Sequence, residues 1–417
     1  MKGMRKVTAI WYESLEASTN KQAKGSRASP GQRKAAQAPS ARKGRQAVPR
    51  AASEIRTAPI NHNLPPRTES SGTCEATVGP DELGDALISK IQAIVREKPQ
   101  LSLDGHFKLA VTEEVIATVN RKCIGGLRIP RMRPGNEESR WDTAMFRYEK
   151  LKGGELFDRA LVSDMRRAYL HPDPDGDWFN MPRGDFEAEC ALEDPTNLLE
   201  SAATSSDHNE PFPYVITPAE EPADREVLCL PPKPFLGCGS RLRLLPKPIE
   251  GVTGSYAYLS AKRGSPATLH IEDGLLGSIN LVVAGHPKIW LMVAASDREK
   301  LETAVQNAFR KTTACSQFVR HKNLVLSPSL LDRWGISYQV VECRAGELVV
   351  TLPGAYHQVV NQGPNIAEAV NFALEDNWTS PPSDYVYCSE QDCKDDYQGI
   401  NQMSLSISTT THGDASR

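Results

Sequence analysis

Aromatic residues are scarce in this chain, 6% of 417 positions, and no apolar run is long enough to cross a bilayer. The longest such stretch, residues 279–295, is broken by His286, Pro287 and Lys288, so no transmembrane helix and no membrane partner are expected. The first apolar patch, residues 7–12, is too short for a secretory signal. Nine cysteines, an odd number, are scattered without the tight pairs of familiar zinc sites; they fit a reducing compartment with a metal site better than a disulfide framework. Internal repeats and a phosphate-binding glycine loop are missing too, which sets solenoids and nucleotide loops aside.

Acidic residues are rare at one end. Residues 1–70 hold 14 Lys and Arg against 4 Asp and Glu, a net +10, so the other 347 residues carry −13 to reach the overall −3. The basic stretch is rich in Ala, Ser, Gln and Pro and almost free of aromatics after Tyr12, so residues 1–79 read as a disordered tail. Such a tail suits nuclear import and non-specific contact with nucleic acid, or is simply solvated. Glu13 and Glu16 in its one helix-capable stretch argue against a mitochondrial presequence.

From Asp81 the pattern turns helical. Leu83, Ala86, Leu87, Ile91 and Ile94 recur near a 3.6 period and Pro99 closes the helix; residues 112–119 and 146–169 could form others, so 80–170 reads as a helical module. Residues 171–227 are acidic and broken by Pro172, Pro174, Gly176 and Pro222, a loop-rich linker or cover. Beyond it, apolar runs at 256–260, 267–272, 278–284, 289–294, 338–343, 348–352, 356–361 and 367–374 read as strands, with helical insertions at 297–310 and 328–334. The expected fold is mainly β, a double-stranded β-helix of jelly-roll type spanning 228–380, followed by a segment at 381–400 and a disordered tail at 401–417.

Chemistry enters with His270-Ile-Glu272. On a strand, i and i+2 share a face, so an imidazole and a carboxylate can meet one metal ion. His357, after the run 348–352 and a Pro-Gly step, is placed to complete the set. Two histidines and a carboxylate on one octahedral face leave three positions open, as non-haem Fe(II) oxygenases require. A His-x-Glu tripeptide alone is more often a hydrogen-bonded structural pair.

The surroundings decide. PATLHIEDGLLGSINLVVAGHPKIWLMV, CSQFVRHKNLVLSPSLL and AGELVVTLPGAYHQVVNQGPNIAEAVNFALEDNW together resemble the JmjC domain of 2-oxoglutarate-dependent oxygenases, specifically the trimethyl-lysine demethylases of histone H3, over roughly residues 249–393. The resemblance implies a cupin-like JmjC barrel, Fe(II) on His270, Glu272 and His357, and 2-oxoglutarate on Asn280 and Lys288. The far carboxylate of a dicarboxylate inside a barrel needs a buried cation to offset its desolvation. Lys288 fits that need, whereas a surface lysine beside Pro287 would not; the apolar run after it argues for burial. The tyrosine that would join Lys288 is not placed by a motif, and Tyr214 is the candidate. Gly251, Tyr258, Glu272 and Asn371 fall at positions of the methylammonium pocket, although the tyrosines could equally be ordinary strand aromatics.

The same branch implies Zn(II) on Cys315, His321, Cys388 and Cys393; two unliganded thiols at the last pair are the alternative. Three departures stand out. Cys388 and Cys393 are more widely spaced than usual, Ala369 and Val370 replace small hydroxyl residues, and the interval from Tyr258 to His270 is one residue longer. The expected function is demethylation of methyl-lysine on a histone H3 tail in chromatin, in the nucleus: hydroxylation of an N-methyl group gives a carbinolamine that releases formaldehyde. Another JmjC protein hydroxylase and a non-catalytic chromatin protein on the same fold are the alternatives.

Overall fold

β-branched and alternating apolar runs build the architecture. The computed structural model describes residues 73–130, 142–150, 164–172, 178–183, 193–205, 211–249, 251–309, 315–387 and 407. All of them belong to the unit Pro66–Arg417; the other unit, Met1–Pro65, contains none. The strands are β1 (Thr77–Val78), β2 (His106–Val111), β3 (Arg128–Pro130), β4 (Asp142–Lys150), β5 (Met165–Pro172), β6 (Trp178–Asn180), β7 (Phe212–Pro218) and β8 (Tyr256–Ser260). They continue with β9 (Pro266–His270), β10 (Gly277–Gly285), β11 (Lys288–Val293), β12 (Leu324–Leu326), β13 (Tyr338–Cys343), β14 (Glu347–Thr351), β15 (His357–Asn361) and β16 (Asn365–Phe372).

Ten strands form one sheet in the order β1-β2-β14-β10-β16-β8-β7-β4-β5-β12, and four form a second, β13-β11-β15-β9; β3 and β6 make a ribbon. The two large sheets meet through Val282 and Val349 of the first and Trp290, Met292, Val341, Cys343 and Val359 of the second. This is the double-sheet jelly roll that the sequence pattern implies.

β11 shows how the site is fixed. All six of its side chains are buried. Ile289, Leu291 and Val293 pack outward against Leu301 and Val305 of helix Arg298–Phe309 and Leu330 and Leu331 of helix Pro328–Trp334. Each such side chain contributes about 1.5–3 kcal/mol of burial. Trp290 and Met292 therefore point into the space between the sheets, and the period of two carries Lys288 to the same face. The shorter helix is bounded by local chemistry: Ser327 accepts from the Leu330 amide, Pro328 follows, and Gly335 ends it at φ 63°.

The N-terminal half departs from the helical-module expectation. Helix Ala86–Glu97 forms and buries Leu87, Ile88, Ile91 and Ile94, but residues 146–169 are not helical where described. β4 and β5 are antiparallel partners there, with Tyr148 opposite Ala168. Tertiary pairing overrides helical propensity, and Gly153-Gly154 between the two segments is a hairpin cue that a 3.6-period reading overlooks. Nor is 171–227 merely a linker. It contains β6, helices Pro195–Thr204 and Pro222–Val227, and β7, which bridges β4 to β8. The large sheet thus runs through the first expected boundary of the barrel at residue 228. Among the described residues Cys123 and Cys229 form a disulfide, which departs from the expectation of reduced cysteines without amounting to a disulfide framework. The basic tail to residue 72, Cys388 and Cys393, and the C-terminal tail except residue 407 lie outside the described residues.

Candidate functional site

β9 and β15 are neighbours, and their register sets His270 directly opposite His357. Glu272 lies two residues past the end of β9 in extended conformation, so it keeps the face of His270. The three residues can present ligand atoms all within 4.8 Å of one another. Glu272 Oε1 is 3.9 Å from His270 Nε2 and 3.4 Å from His357 Nε2, and the two rings are 4.3 Å apart. His270 Nδ1 lies 2.6 Å from the Thr268 carbonyl and His357 Nδ1 3.1 Å from the Ala355 carbonyl. A carbonyl only accepts, so each Nδ1 carries the proton and each Nε2 keeps its lone pair. Asn371 Nδ2 donates to Glu272 Oε2 at 3.0 Å, which steadies the carboxylate with Oε1 towards the imidazoles.

The electrostatics match that arrangement. Burial, reinforced by His357, brings the His270 imidazole down to about 3. Burial pushes the Glu272 carboxyl up, but the neighbouring imidazoles and the Asn371 amide outweigh it and hold the group below the usual carboxylate range. A neutral imidazole beside a carboxylate is the form a metal binds. The donor set, two nitrogens and one oxygen, suits non-haem iron. It is the one such group of His, Cys, Asp and Glu among the described residues.

Deeper between the sheets lies Lys288. Two residues along the same face, the Trp290 ring sits 5.7 Å from that of His357. Lys288 is 3% exposed and forms no ion pair among the described residues. Its ammonium instead lies 5.7 Å from the centre of the Tyr258 ring, and Cys343 is its register partner on β13. Burial lowers it to about 8, so it remains mostly charged at neutral pH. Asn280 on β10 shares the inward face of Val282, and its Oδ1 is buried without a hydrogen-bond partner, as is Trp290 Nε1. Buried polar groups left unpaired cost free energy until a polar guest arrives. Tyr214 of β7 is buried with its ring 6.3 Å from that of Tyr258.

The other expected residues fall as follows. Asn371 touches Glu272 itself, and the Tyr258 ring lies against Lys288. Gly251 is exposed at φ 78°, where an added Cβ would meet the Tyr256 ring at 3.8 Å. Cys315 and His321 are both buried. Ser316 N donates to the Val386 carbonyl and Val386 N to Ser316 Oγ, each at 2.9 Å. Gln317 Nε2 donates to the Glu272 carbonyl and to the Tyr385 hydroxyl at 3.2 Å each. Sequence reasoning left Gln317 and Trp290 without a role at the site. No motif marks Gln317; for Trp290 the cue was its place two residues from Lys288 on a buried strand.

A JmjC domain, described as a hydroxylase domain, matches residues 257–372, and that stretch of this chain is a JmjC domain. Over 126 residues, 30% of the chain, the sequence is 39% identical to a probable lysine-specific demethylase 4F of Homo sapiens. Matches of the same length reach 40% identity with a lysine-specific demethylase 4D of Rattus norvegicus and 36% with a lysine-specific demethylase 4B of Mus musculus. The matched stretch is 20%, 24% and 12% of those three proteins, so the chain covers a minor part of each. No helix among the described residues is long and apolar enough to cross a membrane.

Proposed function

We propose that this chain is an Fe(II)- and 2-oxoglutarate-dependent dioxygenase that demethylates lysine on a histone H3 tail in the nucleus, releasing formaldehyde, succinate and CO2. The observation that carries the reading is a buried ammonium without a counter-ion among the described residues, Lys288, on the same inter-sheet face as a His-Glu-His cluster whose lone pairs are free. A dicarboxylate that chelates a metal at one end and meets a cation at the other answers both needs.

His270, Glu272 and His357 would hold the iron, and Thr268 and Ala355 fix the two tautomers through their carbonyls. Lys288 and Asn280, with Tyr214, would receive the far carboxylate. When bound, the metal and the oxo-acid supply the oxidising chemistry. The chain's own contribution is orientation. Gly251, Tyr258 and Asn371 are assigned to the methylammonium pocket, where backbone, phenol and amide oxygens surround a diffuse cation and aim one methyl group. Hydroxylation of that methyl group leaves a carbinolamine, which releases formaldehyde.

Zinc on Cys315, His321, Cys388 and Cys393 completes the proposal. Its support is the pairing of Ser316 with Val386, which brings the chain two residues before Cys388 alongside Cys315. The basic N-terminus would add sequence-independent contact with nucleic acid in chromatin.

Formaldehyde release from trimethylated histone H3 peptides, with Fe(II) and 2-oxoglutarate, tests the reading against a His270→Ala, Glu272→Ala variant. Turnover by the parent alone supports it. Consumption of 2-oxoglutarate without formaldehyde points to another protein hydroxylase, and neither activity to a non-catalytic chromatin protein.

A further inference from the structure

Immediately after Glu272 the backbone makes a tight turn in an unfavourable conformation. Asp273–Leu275 form a single 3-10 turn in which Gly274 has φ 64° and Leu275 φ 54°. Glycine takes a left-handed conformation freely, whereas a leucine there costs free energy and persists only where its surroundings fix it. Leu275 N donates to the Glu272 carbonyl at 3.2 Å, which closes the turn on Glu272 itself. Relaxation of Leu275 would therefore carry the Glu272 backbone with it.

Two side chains from one short segment hold this turn. Gln317 Nε2 donates to the Glu272 carbonyl at 3.2 Å, engaging its second lone pair, and Arg320 Nη1 donates to Asp273 Oδ2 at 3.0 Å. Gln317 is 3% exposed, and its own Oε1 is buried without a hydrogen-bond partner among the described residues. A carbonyl only accepts, so the amide must turn Nε2 towards Glu272 and leave Oε1 stranded. An apolar side chain would fill the volume without that desolvation. What it would lack is a donor for each of two acceptors, because Gln317 Nε2 also donates to the Tyr385 hydroxyl at 3.2 Å. The residue after Tyr385 is itself docked on the residue before Gln317, through the paired hydrogen bonds of Val386 with Ser316. Glu272 is thus gripped at both ends, by Asn371 at the carboxylate and by Gln317 at the carbonyl.

We infer that Gln317 is a positioning residue for Glu272: its amide bridges Tyr385 of the C-terminal segment to the Glu272 carbonyl and so keeps the carboxylate turned to the two imidazoles. This rests on the iron reading given above, and it adds a residue that touches neither metal nor substrate. Gln317 acts through Glu272, and Tyr385 acts through Gln317.

The test is anaerobic titration of the full chain with Fe(II), followed by calorimetry, for the parent, Gln317→Leu, Tyr385→Phe and the double variant, with His270→Ala as the background. Gln317→Leu is expected to weaken Fe(II) binding about tenfold and Tyr385→Phe about threefold, the scale of one to two neutral hydrogen bonds. The double variant binds as Gln317→Leu does, because the Tyr385 hydroxyl reaches Glu272 only through the amide. A role confined to packing would lower the melting temperature and leave the folded chain with parental Fe(II) affinity. Parental affinity in either single variant, or losses that multiply in the double variant, overturns the inference. If Gln317→Leu lacks a cooperative melt, Tyr385→Phe decides alone, because it keeps the amide and its bond to Glu272. A parent that binds no Fe(II) refutes the iron reading itself, a result separable from the others.

Discussion

Replacing Lys288 by Met should have two effects of opposite sign. In the ligand-free protein the ammonium is 3% exposed, and burial brings it from an ordinary 10.5 to about 8. That drop corresponds to about 3 kcal/mol of destabilisation. The sign follows from proton counting: between the folded and unfolded values the unfolded chain binds more protons, so this cost is full below about pH 8 and fades as pH rises towards 10.5. A methionine beside Trp290 and Val359 removes the charge and keeps the volume. Lys288→Met should therefore melt higher than the parent near pH 7, by about 5 °C for a domain of this size. Co-substrate affinity moves the other way. Removing one partner of a buried charge pair costs about 3–5 kcal/mol. The dissociation constant for 2-oxoglutarate should then rise by about two to four orders of magnitude. In the parent, affinity should hold up to pH about 8 and then weaken about tenfold per pH unit as the ammonium is lost. Scanning calorimetry with and without 2-oxoglutarate, near pH 7 and near pH 9.5, reads all three effects. A Lys288→Met variant that melts lower than the parent and still binds 2-oxoglutarate would refute the reasoning.

Three further outcomes follow from the same geometry. His270→Ala removes one donor from the set, so bound iron measured by elemental analysis should fall well below one per chain while the melting temperature stays near the parent's, because the ring's one hydrogen bond among the described residues is to the Thr268 carbonyl two residues away. Cys315→Ser should lower zinc content by one atom per chain; unchanged zinc would dismiss the assignment of Cys315, His321, Cys388 and Cys393. Arg225 and Glu368 form a fully buried pair at 2.8 Å, so Arg225→Leu leaves a carboxylate stranded and should cost about 3–5 kcal/mol in denaturant unfolding. Arg225→Leu with Glu368→Leu should recover most of that loss.

Much of the jelly roll was legible because its strands are short, apolar and punctuated. Residues 256–260, 338–343 and the helix at 328–334 were bounded to the residue, the last by Ser327, Pro328 and Gly335. The N-terminal strands were not. Residues 142–150 and 165–172 carry long polar side chains in the company of Phe146, Tyr148 and Tyr169, a composition that satisfies a helical period nearly as well as alternation. What makes them strands is pairing with β7 and β12, which lie far away in the sequence. The site divided the same way. His270 and Glu272 announce themselves because i and i+2 share a face along extended backbone, whereas the β9–β15 register that brings His357 opposite is a tertiary fact. Tyr214 was left uncertain for the same reason: its neighbour Tyr258 becomes a neighbour only through the pairing of β7 with β8.

The cost of the site also bears on whether it works. A scaffold kept for binding alone would gain stability from an apolar residue at 288 and from apolar side chains in place of the imidazoles at 270 and 357. Both features instead remain in forms that only a guest makes worthwhile: a charged ammonium with no counter-ion among the described residues, and two histidines whose Nδ1 protons are committed to Thr268 and Ala355. The guest must be cationic at one end and anionic at the other end of the same inter-sheet space. A metal ion chelated by a dicarboxylate has that polarity, and a peptide or nucleic acid bound at the surface does not. Retention of these two costs together, in strands otherwise filled by Val, Leu and Ile, therefore argues for catalysis over a scaffold.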